Sequence, residues 1–131
     1  MAFIPYLNDT GASIGCDYQV AAAGTYTVGE ALAYSAGKLT AATGTVKPEF
    51  FSMENRVCAA GDVLYVQRID PGVIYETTLY LASGTATLVP GTKYTLHTDG
   101  GQITSTSTSG VAELIDIDGT ASGAIAHVRF N

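Results

Sequence analysis

Asp62-Val63-Leu64-Tyr65-Val66-Gln67-Arg68-Ile69, then Asp70-Pro71-Gly72, then Val73-Ile74-Tyr75-Glu76-Thr77-Thr78-Leu79-Tyr80-Leu81 is the stretch on which the fold turns. β-Branched and aromatic residues dominate both flanks, and such side chains suit a pleated, half-buried surface. Between them Pro71 presets φ and Gly72 is free to take positive φ, so the centre reads as a turn joining two strands. In the second strand, alternation sets Val73, Tyr75, Thr77, Leu79 and Leu81 on one face and Ile74, Glu76, Thr78 and Tyr80 on the other. The first set is the expected core face, and the segment is expected to bridge two β-units.

Outward from this stretch the chain echoes itself. Gly29 and Gly61 return as Gly91 and Gly123, 62 positions on in both cases. Gly37-Lys38-Leu39-Thr40 answers Gly101-Gln102-Ile103-Thr104 at a spacing of 64, which a two-residue insertion in a hairpin explains. Val63, Tyr65 and Val66 answer Ile125, His127 and Val128. The echo spans 29–69 and 91–130 within a β domain of residues 25–131. Glycines punctuate short apolar runs throughout, a strand-and-turn rhythm. Only seven residues separate Gly29 from Gly37, too few for a stable isolated helix, so 30–34 reads as a strand. Residues 93–98 and 102–104 form an expected hairpin around Asp99-Gly100-Gly101, with the positive φ angles of a type I′ turn. The Ser/Thr run 105–109 reads as a solvated loop, and 111–117 and 124–130 as closing strands around Asp118-Gly119. The expected class is all-β, a compact β-barrel or sandwich of two related units.

Residues 1–24 differ. Phe3, Ile4, Pro5, Tyr6 and Leu7 form an apolar start, followed by the turn-rich Asn8-Asp9-Thr10-Gly11 and by Ala21-Ala22-Ala23-Gly24. Pro5 and the glycines disfavour a helix. The segment reads as an extended arm able to add as a strand to a sheet edge on another protein. On this reading, deleting residues 1–8 leaves the domain folded.

Composition narrows the partners. The chain has 131 residues, enough for one core, and a formal charge of −6. Binding to a polyphosphate backbone is driven by Lys and Arg, and no cluster among Lys38, Lys47, Arg56, Arg68, Lys93 and Arg129 offsets the deficit. A protein partner is expected and nucleic acid is not. No apolar run is long enough to span a bilayer, and Met1 to Leu7 lacks a basic signal-peptide start, so neither membrane nor export is expected. Cys16 and Cys58 have no C-x-x-C spacing and read as two free, buried thiols.

Chemistry finds no seat. A hydrolase triad needs a nucleophile, a His and an orienting acid, yet His97 and His127 each sit in an alternating strand pattern with no Gly-x-Ser-x-Gly elbow nearby. Both read as structural or merely exposed. Asp116-Ile117-Asp118-Gly119 has the start of a calcium loop without its further oxygen ligands, and a hairpin turn explains it better. Glu49, Glu54, Glu76 and Glu113 offer carboxylates of the glycosidase type, but solvated strand faces account for them. No glycine loop opens a helix to hold a nucleotide phosphate. No catalytic residue, cofactor or metal ligand is assigned.

One family pattern is visible. Val28-Gly29-Glu30-Ala31-Leu32, 36–44 (Ala-Gly-Lys-Leu-Thr-Ala-Ala-Thr-Gly), Pro48-Glu49-Phe50-Phe51-Ser52-Met53 and Ala60-Gly61-Asp62-Val63 resemble small phage head proteins of the decoration, or capsid cement, type. The resemblance continues through 66–71 and 75–79. It implies a β-tulip-like domain that forms a homotrimer, sits on the outer surface of the virion capsid and clamps neighbouring major capsid protein subunits. It further implies that Phe3, Ile4, Pro5, Tyr6 and Leu7 extend a capsid sheet, and that the protein is made in the host cytoplasm. A carbohydrate- or receptor-binding module of a tail fibre or cell surface is the alternative, with Tyr6, Tyr18, Tyr26, Tyr34, Tyr65, Tyr75, Tyr80 and Tyr94 as stacking platforms.

Overall fold

The computed structural model describes residues 2–8 and 15–131, and these contain strands and turns with no helix. The strands are β1 (Ile4–Asn8), β2 (Cys16–Val20), β3 (Gly24–Tyr26), β4 (Ala31–Ser35), β5 (Lys38–Ala41), β6 (Phe50–Ser52) and β7 (Arg56–Cys58). They continue with β8 (Val63–Arg68), β9 (Val73–Leu79), β10 (Lys93–Tyr94), β11 (Gln102–Ile103), β12 (Ala112–Ile117) and β13 (Ile125–Arg129). The first unit is a sheet in the order β2-β8-β6-β4-β5, with β3 and β7 paired beside it. The second has the order β9-β13-β12-β10, with β1 and β11 both pairing β9. The protein is all-β.

The ladder of the first unit recurs in the second. Leu32↔Phe50 reappears as Tyr94↔Ala112, Phe51↔Gln67 as Glu113↔Arg129, and Ser52↔Val66 as Leu114↔Val128. On the outer strands, Tyr18↔Tyr65 reappears as Glu76↔His127 and Val20↔Val63 as Thr78↔Ile125. The entry turns match as well: Glu30 N–H donates to the Thr27 carbonyl at 3.1 Å and Thr92 N–H to the Val89 carbonyl at 3.2 Å. Gly29 and Gly91, at φ 81° and 88°, supply the left-handed residue each turn requires. In both units the last strand reaches back to the first through a short parallel contact, Ala21↔Leu39 and Ile103↔Leu79. Each sheet therefore curls strongly, but contacts this short leave neither as a closed barrel, and the sandwich alternative describes the fold.

Alternation chose the core face of β9: Val73, Tyr75, Thr77 and Leu79 are all buried, while on the other face Glu76 and Thr78 are not, and only Ile74, opposite Leu7 of β1, is buried as well. Within the first unit Ala21, Leu32, Leu39, Phe50, Leu64 and Val66 form a small inner core. A larger core fills the second unit and the space between the two, taking Ala31, Ala33 and Phe51 from the outer face of the first. Thr77, buried in this core, donates its hydroxyl to the Gly101 carbonyl at 2.7 Å, and among the described residues no buried side-chain polar atom lacks a partner. That satisfaction matters because an unmade buried hydrogen bond costs about 1–3 kcal/mol.

Three expectations change. The segment read as a leading arm is built into both sheets: β1 runs antiparallel to β9 through Ile4↔Glu76, Pro5↔Tyr75 and Leu7↔Ile74, and β2 pairs β8. Phe3 is 2 % exposed, with its ring 5.3 Å from that of Phe51 and 5.4 Å from that of Phe130. Deleting residues 1–8 would therefore remove a core side chain and bare the β9 edge. The expected turn at 8–11 lies, beyond Asn8, outside the described residues. The loop at 97–102 is not a two-residue type I′ turn. His97 O accepts from Gly100 N–H at 2.9 Å, and Gly100 alone takes positive φ while Asp99 accepts from Gly101 N–H. Cys16 is exposed and only Cys58 is buried; neither is in a disulfide.

Candidate functional site

The outer faces of β2·β8 and β9·β13 are equivalent in backbone and opposite in chemistry. On the first, Tyr18 is 61 % exposed, beside Tyr65 at 5.0 Å between ring centroids, with Val20 and Val63 also exposed. Glu54 lies at the edge of this face, and its carboxylate accepts the Tyr65 N–H at 3.0 Å. On the second, Glu76 and His127 occupy the places of Tyr18 and Tyr65, and Asp116 that of Glu54. His127 Nδ1 lies 2.5 Å from Asp116 Oδ1, and its Nε2 lies 3.0 Å from Glu76 Oε2. Tyr6 of β1 stacks on the imidazole, with centroids 3.8 Å apart and planes 19° from parallel. Burial pushes the His127 pKa down, but hydrogen bonds to Glu76 and Asp116 and their negative charges outweigh it and hold the value above 6.5.

The apolar start divides. Phe3 is in the core and unavailable to a partner, whereas Ile4, Tyr6 and Leu7 are 49 %, 57 % and 49 % exposed. Leu79 N–H bonds to the carbonyl of Ala124, the residue just before β13, so by the alternation of an antiparallel ladder Glu76 and Ile74 face β1, and Pro5 turns its nitrogen away from β9. Pro5 thus sits on the open side of an edge strand, the one place where its missing N–H breaks no ladder. The matching edge of the first unit is that of β2. There Asp17 Oδ1 accepts the outward Tyr18 N–H at 2.7 Å.

The remaining candidates separate in space. His97 stacks on Tyr80 at 3.6 Å, on a different part of the second unit from the His127 cluster. Asp118 caps its turn by accepting the Ile125 N–H, while Asp116 binds His127, so the two do not make a calcium loop. Glu54, Glu76 and Glu113 have separate partners, the last being Arg129 at 2.6 Å. Among the described residues no three His, Cys, Asp or Glu side chains are grouped to hold a metal ion. A groove of about 350 Å³ where the units meet is lined by Lys47, Glu49, Arg68 and Phe130, with the Arg68 guanidinium 4.9 Å above the Phe50 ring. Sequence reading missed the His127 cluster. Its members come from β1, β9, β12 and β13, and the one signal available was that His127 answers Tyr65 in the echo.

No protein-family model matches this sequence, and none of the curated proteins is significantly similar to it.

Proposed function

We propose that this protein is a non-enzymatic decoration, or cement, protein that binds the outer surface of a phage major capsid protein lattice and strengthens the head. The observation that carries the reading is the outward display of Ile4, Tyr6 and Leu7 on β1, anchored from below by Phe3. Apolar groups held outward on a fixed strand lose little entropy when a partner covers them, and each Å² removed from water contributes about 25 cal/mol before association costs. The resemblance of residues 28–79 to head decoration proteins supports the same reading, and with it a homotrimer. Pro5 modifies the expected contact: β1 already pairs with β9, so it meets the capsid through side chains and not by extending a capsid sheet.

Mixing the purified protein with undecorated heads and measuring co-sedimentation tests the proposal. The natural chain should bind, and Ile4→Asp with Leu7→Asp should weaken binding at least about tenfold while the fold is kept, since each burial lost is worth more than 1 kcal/mol. Equal binding by the double variant would remove β1 from the contact, and no binding by the natural chain would remove the function. One observation favours the glycan-binding alternative, namely the exposed Tyr18 ring beside Tyr65. A glycan array that lights up with the natural chain and not with Tyr18→Ala would establish it.

A further inference from the structure

We propose that His127 is a pH-operated clasp that holds strand β1 on the β9 edge, closed when the imidazole is doubly protonated and loosened when it is not. The inference is independent of any capsid. A neutral imidazole has one N–H, yet both ring nitrogens here lie within hydrogen-bond distance of a carboxylate oxygen, Nδ1 of Asp116 and Nε2 of Glu76. An ionised carboxylate only accepts, so satisfying both contacts takes two ring donors, which only the imidazolium has. The ring is 14 % exposed, and the groups facing it are Glu76 from β9, Asp116 from β12 and the Tyr6 ring from β1. A cation over the face of a tyrosine is attracted by the ring quadrupole.

The β1·β9 register shifts between Pro5 and Leu7, so Tyr6 is the one residue of that stretch without a ladder partner. Its ring on His127 is therefore what fastens the strand across the bulge. Loss of the proton leaves one carboxylate facing a nitrogen lone pair and removes the cation from beneath Tyr6. Since the folded value is raised, the stabilisation is complete below about 6.5 and disappears as pH rises through the folded value. The first unit supplies an internal control, because Tyr65 stands where His127 would be and does not titrate near neutrality.

NMR on the full ¹⁵N-labelled chain tests this. The His127 ring should titrate above its ordinary value. Amide protection factors at Ile4 and Leu7, corrected for intrinsic exchange, should fall about tenfold between roughly pH 6 and pH 9, while that of Gln19 in β2 holds. His127→Gln should make β1 protection insensitive to pH, and Tyr6→Leu should lower it at pH 6 toward the natural chain's value at pH 9. A His127 ring titrating at or below about 6.5 overturns the proposal. So does unchanged β1 protection in the natural chain, or a pH response that survives His127→Gln.

Discussion

On the first unit two tyrosines lie side by side under open solvent, and at the corresponding place on the second a histidine joins two carboxylates beneath a third strand. The inner cores differ in the same manner. Leu32 faces Phe50 in one unit and Tyr94 faces Ala112 in the other, so the bulky ring comes from the opposite strand. The edges differ too: Asp17 caps the outer backbone of β2 with its own carboxylate, while β9 is covered by β1. What is common to the halves is the backbone ladder, which main-chain groups make without reference to side chains. Register and turns are therefore retained, and the faces are free to diverge wherever volume and hydrogen bonds still balance.

The sharpest way to break this comparison is at the inverted core pair. Phe50→Ala should cost about 3–5 kcal/mol in denaturant unfolding, because Leu32 cannot fill the space a ring leaves. Ala112→Phe should cost about 1–3 kcal/mol by overpacking against Tyr94. A loss below about 1 kcal/mol for Phe50→Ala would show that the first inner core relaxes freely and that the pairing of large with small is incidental. Next come the matched turn glycines. Gly91→Ala should cost about 1–2 kcal/mol for its left-handed backbone alone. Gly29→Ala should cost more, since its new Cβ would lie 2.5 Å from the Ala2 Cβ and 2.8 Å from the Phe3 carbonyl oxygen, whereas nothing lies within 4 Å at Gly91. Equal thermal shifts would mean that the chain entering β1 yields without resistance. The smallest effect belongs to the edge. Asp17→Ala should change stability by no more than about 1 kcal/mol but raise self-association in sedimentation under reducing conditions, as the Tyr18 N–H becomes available to another strand. No rise would show that the edge is guarded by something other than Asp17.

Much of the fold was legible because its signals are local. The strand pair around Asp70-Pro71-Gly72 could be placed from alternation and turn chemistry, down to which face of β9 is buried. The strand over β4 followed from the short interval between Gly29 and Gly37. The place of β1 was not legible: its partners lie about 70 positions on in β9, and nothing in Phe3-Ile4-Pro5-Tyr6-Leu7 distinguishes a strand docked at home from one reaching outward. The His127 cluster was hidden for the same reason. Glu76 was read as solvated and His127 as structural or merely exposed, and only the fold joins them to Tyr6 and Asp116. The Asp99-Gly100 loop failed more locally, because two residues inserted relative to the first hairpin lengthen the connection beyond the two-residue turn that Asp-Gly otherwise signals.

Pro5 has an effect at high concentration. A bare, regular strand border is a seed on which further chains can stack without limit, the geometry of fibrils. Here the growth front presents a pyrrolidine ring with no hydrogen to offer, so a further strand cannot complete a regular ladder along β1.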